Sequence, residues 1–267
     1  MLVALSLMVS LTSAHKVLLI NDIHLDVNST QLYSEPGTEA SITTLNKVLQ
    51  EAAQEEAKSG VPIEAILLIG DLCKHGLAVA IDTSPNNWEL MKYTMKEAIS
   101  AIETAFPSIP ILPVIGNNDV IYHDQAPSLL IKDMYYEQLW ELMFENVEAN
   151  AAIAANSTIE ASWKKGGYYA YELSDDVMIL GLNGMYPFYE NFEDIDMAMT
   201  MIEWLNDTLE ANPDKKFITQ THVFFGNNWY NSLEVLWNTT YTDTLLQILQ
   251  KHQDRLIICL GAHIHHV

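Results

Sequence analysis

Cysteine and basic side chains are scarce in this chain, and long apolar runs are nearly absent. Two cysteines, Cys73 and Cys259, occur in 267 residues, which rules out a disulfide framework. Whether these two pair or stay as buried thiols is open from sequence. Only 13 Lys and Arg stand against 35 Asp and Glu, a formal charge of −22. That imbalance argues against a nucleic-acid partner and against anionic membrane surfaces. It suits an acidic compartment, where carboxylates begin to protonate and self-repulsion falls. Past residue 11 no segment is apolar for long enough to span a bilayer. Internal repeats and low-complexity linkers are absent as well, and hydrophobic residues make up 49% of the chain. The length and this content fit one globular domain with a substantial core.

What the chain does contain is a set of short apolar runs, each closed by potential metal ligands. Val17 to Ile20 leads into Asp22-Ile23-His24. Ala65 to Ile69 leads into Gly70-Asp71. Ile111 to Ile115 leads into Gly116-Asn117-Asn118-Asp119. Phe217 to Gln220 leads into Thr221-His222, and Leu256 to Leu260 into Gly261-Ala262-His263-Ile264-His265. Short apolar runs closed by Gly or Asn read as buried strands. The carboxyl ends of such strands are where α/β sheets place their chemistry.

Helical patterns lie between these runs. Leu45, Val48 and Leu49 mark one helix, closed by Gly60 and Pro62. Trp88 to Ala105 is a second, stopped by Pro107. Ser128 to Ala155 reads as one long helix or two short ones. Ile195, Met199, Ile202, Leu205 and Leu209 form a one-sided stripe, and Leu245, Leu246 and Leu249 mark a last helix. The alternation in the first half predicts a parallel layer. Gly167 to Leu173 and Val177 to Leu182, split by Ser174-Asp175-Asp176, predict a hairpin in a second sheet.

The N-terminus is expected to be processed. Leu2 to Leu11 is a short apolar stretch, followed by the small residues Thr12-Ser13-Ala14, so residues 1–14 read as a signal peptide and residues 15–267 as the domain. Asn-x-Ser/Thr sequons at Asn28, Asn156, Asn206 and Asn238 agree with export. A secreted or endolysosomal/vacuolar lumenal glycoprotein is expected.

The candidate ligands carry distinct chemistry. In extended backbone Asp22 and His24, two apart, point the same way and can face one cation, and His263 and His265 share that spacing. A carboxylate such as Asp71 has two oxygens and can hold two cations at once. Asn117 offers a neutral amide oxygen. Each motif alone is weak, and Asp71 by itself would pass for a helix cap. Their order and spacing resemble the calcineurin-like metallophosphoesterase family, whose pattern runs D-x-H, G-D, G-N-H-D/E, a later His, then G-H-x-H.

The resemblance implies an α/β fold, a two-sheet β-sandwich flanked by α-helices, incomplete here at its C-terminus because the family continues with further strands. It implies two divalent metal ions, zinc by the histidine-rich ligation, with iron or manganese as alternatives. One would take Asp22, His24, Asp71 and His265. The other would take Asp71, Asn117, His222 and His263. The implied reaction is attack of a metal-bound hydroxide on phosphorus. Within the family the chain looks like the acid sphingomyelinase-like phosphodiesterase branch, through Asp71-Leu72-Cys73-Lys74-His75, Tyr168-Tyr169 and Trp204-Leu205. His75 is then a phosphate ligand or acid, and Asp119 an orienting group.

Two departures matter. Asn118 replaces the family's histidine, and an amide donates a hydrogen bond but no proton. Ala262 stands where the family has glycine. The expected function is an exported dinuclear-metal phosphodiesterase acting on a sphingomyelin-like head group or a nucleotide. The alternatives are an endopolyphosphatase-like phosphoanhydride hydrolase and an inactive metal-binding glycoprotein.

Overall fold

The apolar runs become strands because both of their faces are covered. In the computed structural model, which describes residues 9–11, 15–31, 38–78, 87–228 and 234–265, the strands β1 (Val9–Leu11), β2 (His15–Ile20), β3 (Ala65–Ile69) and β4 (Ile111–Val114) form one sheet in that order. The strands β2, β3 and β4 run parallel, with Leu19 opposite Leu67 and Leu67 opposite Leu112. Every residue of β3 and β4 is buried, which is why their sequences read as unbroken apolar runs without alternation. The short strand β1 pairs antiparallel with β2, Val9 opposite Val17. It falls within the expected leader, the rest of which lies outside the described residues.

The crossovers are the helices α1 (Ile42–Ser59) and α2 (Trp88–Ala105). Ser41 caps α1 by accepting from the Thr44 N–H, and Gly60 ends it in the left-handed region, as its position beyond the last periodic residue predicts. The span of α2 is the one expected from sequence. The stretch from 128 to 155 breaks into more pieces than expected: α3 (Lys132–Trp140), a π-helical turn, a 3₁₀ turn and α4 (Ala151–Ala154). A further helix, α5 (Ser157–Gly166), was not foreseen. It is capped by Asn156, whose side-chain oxygen accepts from Thr158 and Ile159, so a sequon residue doubles as a helix cap.

The second sheet contains β5 (Tyr169–Glu172), β6 (Val177–Gly181), β7 (Lys216–Gln220) and β10 (Leu256–Leu260), in the order β10-β7-β6-β5. The expected hairpin is β5–β6, and β6, β7 and β10 run parallel. Two-residue strands β8 (Asn227–Asn228) and β9 (Glu234–Val235) form a separate ribbon. The helix α6 (Asp196–Ala211) covers this sheet with Ala198, Met201, Ile202, Leu205 and Leu209, and α7 (Thr239–Lys251) buries Leu245 and Leu249. Two residues of the expected stripes are corrected: Ile195 precedes α6 and is exposed, and Leu246 is exposed on α7. Both satisfy helical spacing, but neither has a neighbouring layer to face. Among the described residues both cysteines are free thiols, and no helix is long and apolar enough to cross a membrane.

The expected α/β two-sheet sandwich is thus formed, and polar side chains join its halves at the edge of the first sheet. Gln220 donates to the Leu112 carbonyl at 3.1 Å and Tyr169 to the Pro113 carbonyl at 3.0 Å. Asn150 pairs both ways with the Ile111 backbone, at 2.8 and 2.9 Å. An unpaired buried strand edge is costly, and these groups satisfy it. Pro113 fits because its missing N–H falls on this edge strand.

One glycine decides how closely the sheets approach at the site. Gly70 has φ +73°, and an added Cβ would meet Gly116 N at 2.7 Å and His222 Nδ1 at 2.8 Å. Gly70→Ala combines a left-handed penalty with overpacking against backbone. It should lower stability by about 2–4 kcal/mol, read as a reduced urea midpoint at unchanged m-value. An unaltered midpoint would show that this approach is slack.

Candidate metal centre

Strands β2, β3, β4, β7 and β10 all end on one side of the molecule, and there the backbone leaves the extended region. Asp22, His24, Asp71, His263 and His265 have φ between 44° and 75°. These are five of the eight non-glycine residues with positive φ among the described residues. Each costs of order 1 kcal/mol or more and persists only where surrounding contacts dictate it. The contacts are backbone hydrogen bonds that continue strand pairing past the strand ends. Asp22 N donates to Gly70 O, His24 N to Asp71 O and Leu25 N to Leu72 O. In the second sheet Ala262 N donates to His222 O, which continues the β7–β10 pairing in the same way. The extended-strand reading of Asp22 and His24 is therefore corrected. Both lie beyond β2, and left-handed turns rather than strand alternation aim their side chains. The same correction applies to His263 and His265, which point to different groups.

The seven candidate ligands converge as two groups around one carboxylate. His265 Nε2 lies 3.2 Å from Asp22 Oδ1 and 3.1 Å from His24 Nε2. On the other side, Asn117 Oδ1 lies 3.1 Å from His222 Nε2 and 2.9 Å from His263 Nδ1. Asp71 Oδ2 stands between the groups, 3.5 Å from His24 Nε2 and 3.2 Å from His222 Nε2. Asp22, His24, Asp71, Asn117 and His222 are buried.

Second contacts fix which nitrogens face inward. His222 Nδ1 donates to the Ile69 carbonyl at 2.7 Å, and His24 Nδ1 to the Cys73 carbonyl at 3.2 Å. The Nε2 atom of each ring is thereby presented to the centre, the arrangement that metal-binding histidines need. His222 Nε2 meets only acceptors there. Burial opposes charge on that ring, but the Asp71 carboxylate outweighs burial and pushes its pKa up to about 10. Burial likewise opposes ionisation of Asp71, and His222 and His24 outweigh it to hold the carboxyl well below the usual range. Burial and the positive charge on His222 push His263 down to about 4. The donor set fits divalent cations. Asp22 Oδ1 is buried with no hydrogen-bond donor aligned on it, despite the nearby imidazole, and two Nε2 atoms face each other at 3.1 Å.

The three expected catalytic positions separate. Asn118 is buried, with its backbone N–H on Asp71 Oδ1 and its side-chain amide on Asp71 Oδ2, both at 2.8 Å. It steadies the shared carboxylate. Asp119 is buried too, and accepts from Leu72 and Cys73 N–H at 2.9 and 3.0 Å and from Gly116 N–H at 3.2 Å. It ties the loop after β3 to the loop after β4, and burial beside Asp71 pushes its pKa up to about 6. His75 is exposed, stacked on the His24 ring at 4.0 Å between centroids, with Nδ1 2.8 Å from Glu39 Oε1. Two partners escaped the sequence reading. One is Glu39, delivered by the pairing of Ala40 with His24 and Asp26. The other is Asp124, which accepts from Asn117 Nδ2 at 3.0 Å and so turns the Asn117 oxygen toward His222. Neither belongs to a spaced motif. Of the sequon residues, Asn28, Asn156 and Asn238 are exposed and Asn206 is half-buried.

A carboxylate among imidazoles at parallel strand ends offers two adjoining groups of side chains that could hold a metal ion. The chain belongs to the calcineurin-like phosphoesterase family, whose model matches residues 15–267. It is 27% identical over 168 residues to sphingomyelinase phosphodiesterase C of Dictyostelium discoideum, covering 61% of this chain and 34% of that protein. It is 25% identical over 175 residues to the human cyclic GMP-AMP phosphodiesterase SMPDL3A, covering 62% of this chain and 36% of that one. The chain spans about a third of the length of these curated relatives. A dimetal phosphatase from Danio rerio shares the fold, with a TM-score of 0.57 at 10% identity over 94% of this chain and 82% of its own.

Asp119→Asn tests the loop tie. The amide oxygen can still accept from Leu72 and Cys73, but its NH₂ then faces the Gly116 N–H. Two opposed donors in a buried place should cost about 1–3 kcal/mol, measured by chemical denaturation. A variant as stable as the parent would mean the loops hold each other without Asp119.

Proposed function

We propose that this protein is an exported dinuclear-metal phosphodiesterase. The observation that carries the proposal is Asp71 Oδ2, placed between His24 on one side and His222 on the other. One cation is held by Asp22, His24, Asp71 and His265, the second by Asp71, Asn117, His222 and His263. Four imidazoles, two carboxylates and an amide oxygen suit zinc, with iron or manganese as alternatives. When bound, two such ions neutralise charge on a phosphoryl group and make water nucleophilic at neutral pH.

The chain's own groups then have separate tasks. Asn118 holds both oxygens of Asp71, and Asp119 holds the loops that carry Asp71 and Asn117. His75, on the open side of His24, hydrogen-bonds a phosphate oxygen, with Glu39 orienting its ring. The names of the two relatives, a sphingomyelinase-type phosphodiesterase and a cyclic dinucleotide phosphodiesterase, support a phosphodiester substrate, either a lipid head group or a nucleotide. A phosphoanhydride is the second reading. Asn118 supports it, because the amide supplies no proton and a phosphate leaving group needs none. The apolar leader, the sequons and the acidic surface support a secreted or lumenal setting.

Two measurements bear on this reading. His222 carries a proton on the atom that must bind metal, because its pKa is pushed up to about 10. Metal uptake at pH 8 should release about one proton from this ring, seen by calorimetry in buffers of different ionisation enthalpy. Apparent affinity should rise with pH up to about 10, where the proton is lost without metal's help. Uptake without proton release would place the metal elsewhere. Second, protein supplied with zinc, manganese or iron should hydrolyse bis-p-nitrophenyl phosphate and stop with chelator. His75→Gln should lower kcat/KM roughly a hundredfold. No turnover with any of the three metals sinks the proposal.

A further inference from the structure

Large apolar side chains crowd the surface on two loops beside the candidate metal centre. Leu129 is 74% exposed, Leu130 97% and Phe192 63%, and Met134, Tyr189 and Ile195 are exposed with them. These six are the majority of the ten large hydrophobic residues exposed among the described residues. They lie on only two segments, 129–134 and 189–195. Scattered exposed leucines need no explanation, but a concentration of this kind marks a binding surface.

The two segments are one structure. Gln125 Nε2 donates to the Glu190 carbonyl, Gln125 Oε1 accepts from Phe192 N–H, Ala126 N–H donates to Asn191 Oδ1, and Lys132 pairs with Asp194 at 2.7 Å. Both emerge from loops that follow β4 and β6, on the side where the candidate ligands stand. Asp124, which orients Asn117, lies five positions before Leu129. Phe188, whose ring meets His263 edge-on at 5.8 Å, lies four positions before Phe192. Both apolar segments therefore begin within a few residues of side chains that touch the candidate ligands.

Its charges select the occupant. The one lysine on these segments, Lys132, is buried in its pair with Asp194, while Asp133, Glu190 and Asp196 are exposed around the apolar groups. Such a rim repels an anionic surface and attracts a cationic one. We propose that Leu129, Leu130 and Phe192 insert into a zwitterionic, choline-headgroup lipid interface. The acidic rim meets the trimethylammonium groups, and the lipid phosphodiester is presented to the metal centre. The choice of a lipid occupant rests on the phosphodiesterase reading above, since a phosphodiester that carries its own apolar surface is a lipid.

The test is co-sedimentation of the metal-loaded chain with phosphatidylcholine vesicles and, separately, with phosphatidylserine vesicles. Binding to the first and not the second is expected. Leu129→Ser/Leu130→Ser should reduce partition roughly tenfold or more, and Phe192→Ser similarly, since each removes a large apolar group from the lipid contact. The leucine variant should keep the parent's urea midpoint and its turnover of the water-soluble diester. Equal sedimentation of parent and variants overturns the inference, and so does no sedimentation with phosphatidylcholine. A concentration-dependent dimer that the leucine substitutions abolish also overturns it, by assigning the patch to a second copy. Vesicle binding without turnover of any diester would sink the phosphodiesterase reading and leave the docking surface intact.

Discussion

The position of the Asp71 carboxylate is the constraint on which the rest of this structure depends. It is buried, its two oxygens are held by the Asn118 backbone and side chain, and one of them faces both His24 and His222. A carboxylate so deep in the protein ionises only because imidazoles stand beside it. Those imidazoles come from the ends of two strands in different sheets. The group that defines the site therefore also needs the sandwich to be closed. His222 makes the link directly, for its Nδ1 is bonded to the Ile69 carbonyl at the end of β3.

Closure needs room as well as partners. Gly70 and Gly116 let the first sheet's loops pass within contact of each other and of His222. An added Cβ on Gly116 would sit 2.2 Å from Asp71 Oδ1. Asp119 then ties the two loops by accepting three backbone N–H groups. Left-handed turns at five candidate ligands are sustained by this scaffold, and their cost is the local expense of aiming short side chains at one point. The result is a small cluster that would be electropositive once loaded, inside a protein of formal charge −22. An acidic whole and an anion-binding centre are compatible because the local field, not the net charge, acts on a bound phosphate.

Much of this was legible from sequence, for reasons that differ by element. The strands β3 and β4 stand out because residues covered on both faces leave an unbroken apolar run. The C-terminal end of α2 is set by local chemistry, with Pro107 two residues beyond its last turn. By contrast, α5 buries only two large apolar side chains, Ile159 and Trp163, over ten residues, and its capping residue Asn156 reads equally as a sequon. Ile195 and Leu246 satisfy helical spacing and are exposed all the same, because spacing names a face without saying whether anything covers it. The fragmentation of residues 128–155 is likewise a product of packing, with the Asn150 amide pulled onto the β4 edge.

At the site, the sequence by itself determined which residue types stand at strand ends and in what order, and it named seven side chains that the fold brings together. Those signals are local: a short apolar run, a turn-forming residue, and a ligand two to five residues past the run. Tertiary structure alone decided the division of labour. Asn118 turns to Asp71, and Asp124 turns the Asn117 oxygen toward His222. Glu39 reaches His75 from 36 positions away. Two exposed loops come together beside the centre through Gln125 and Lys132. Each of these depends on the direction of a side chain across a gap between elements, and no spacing along the chain records that direction.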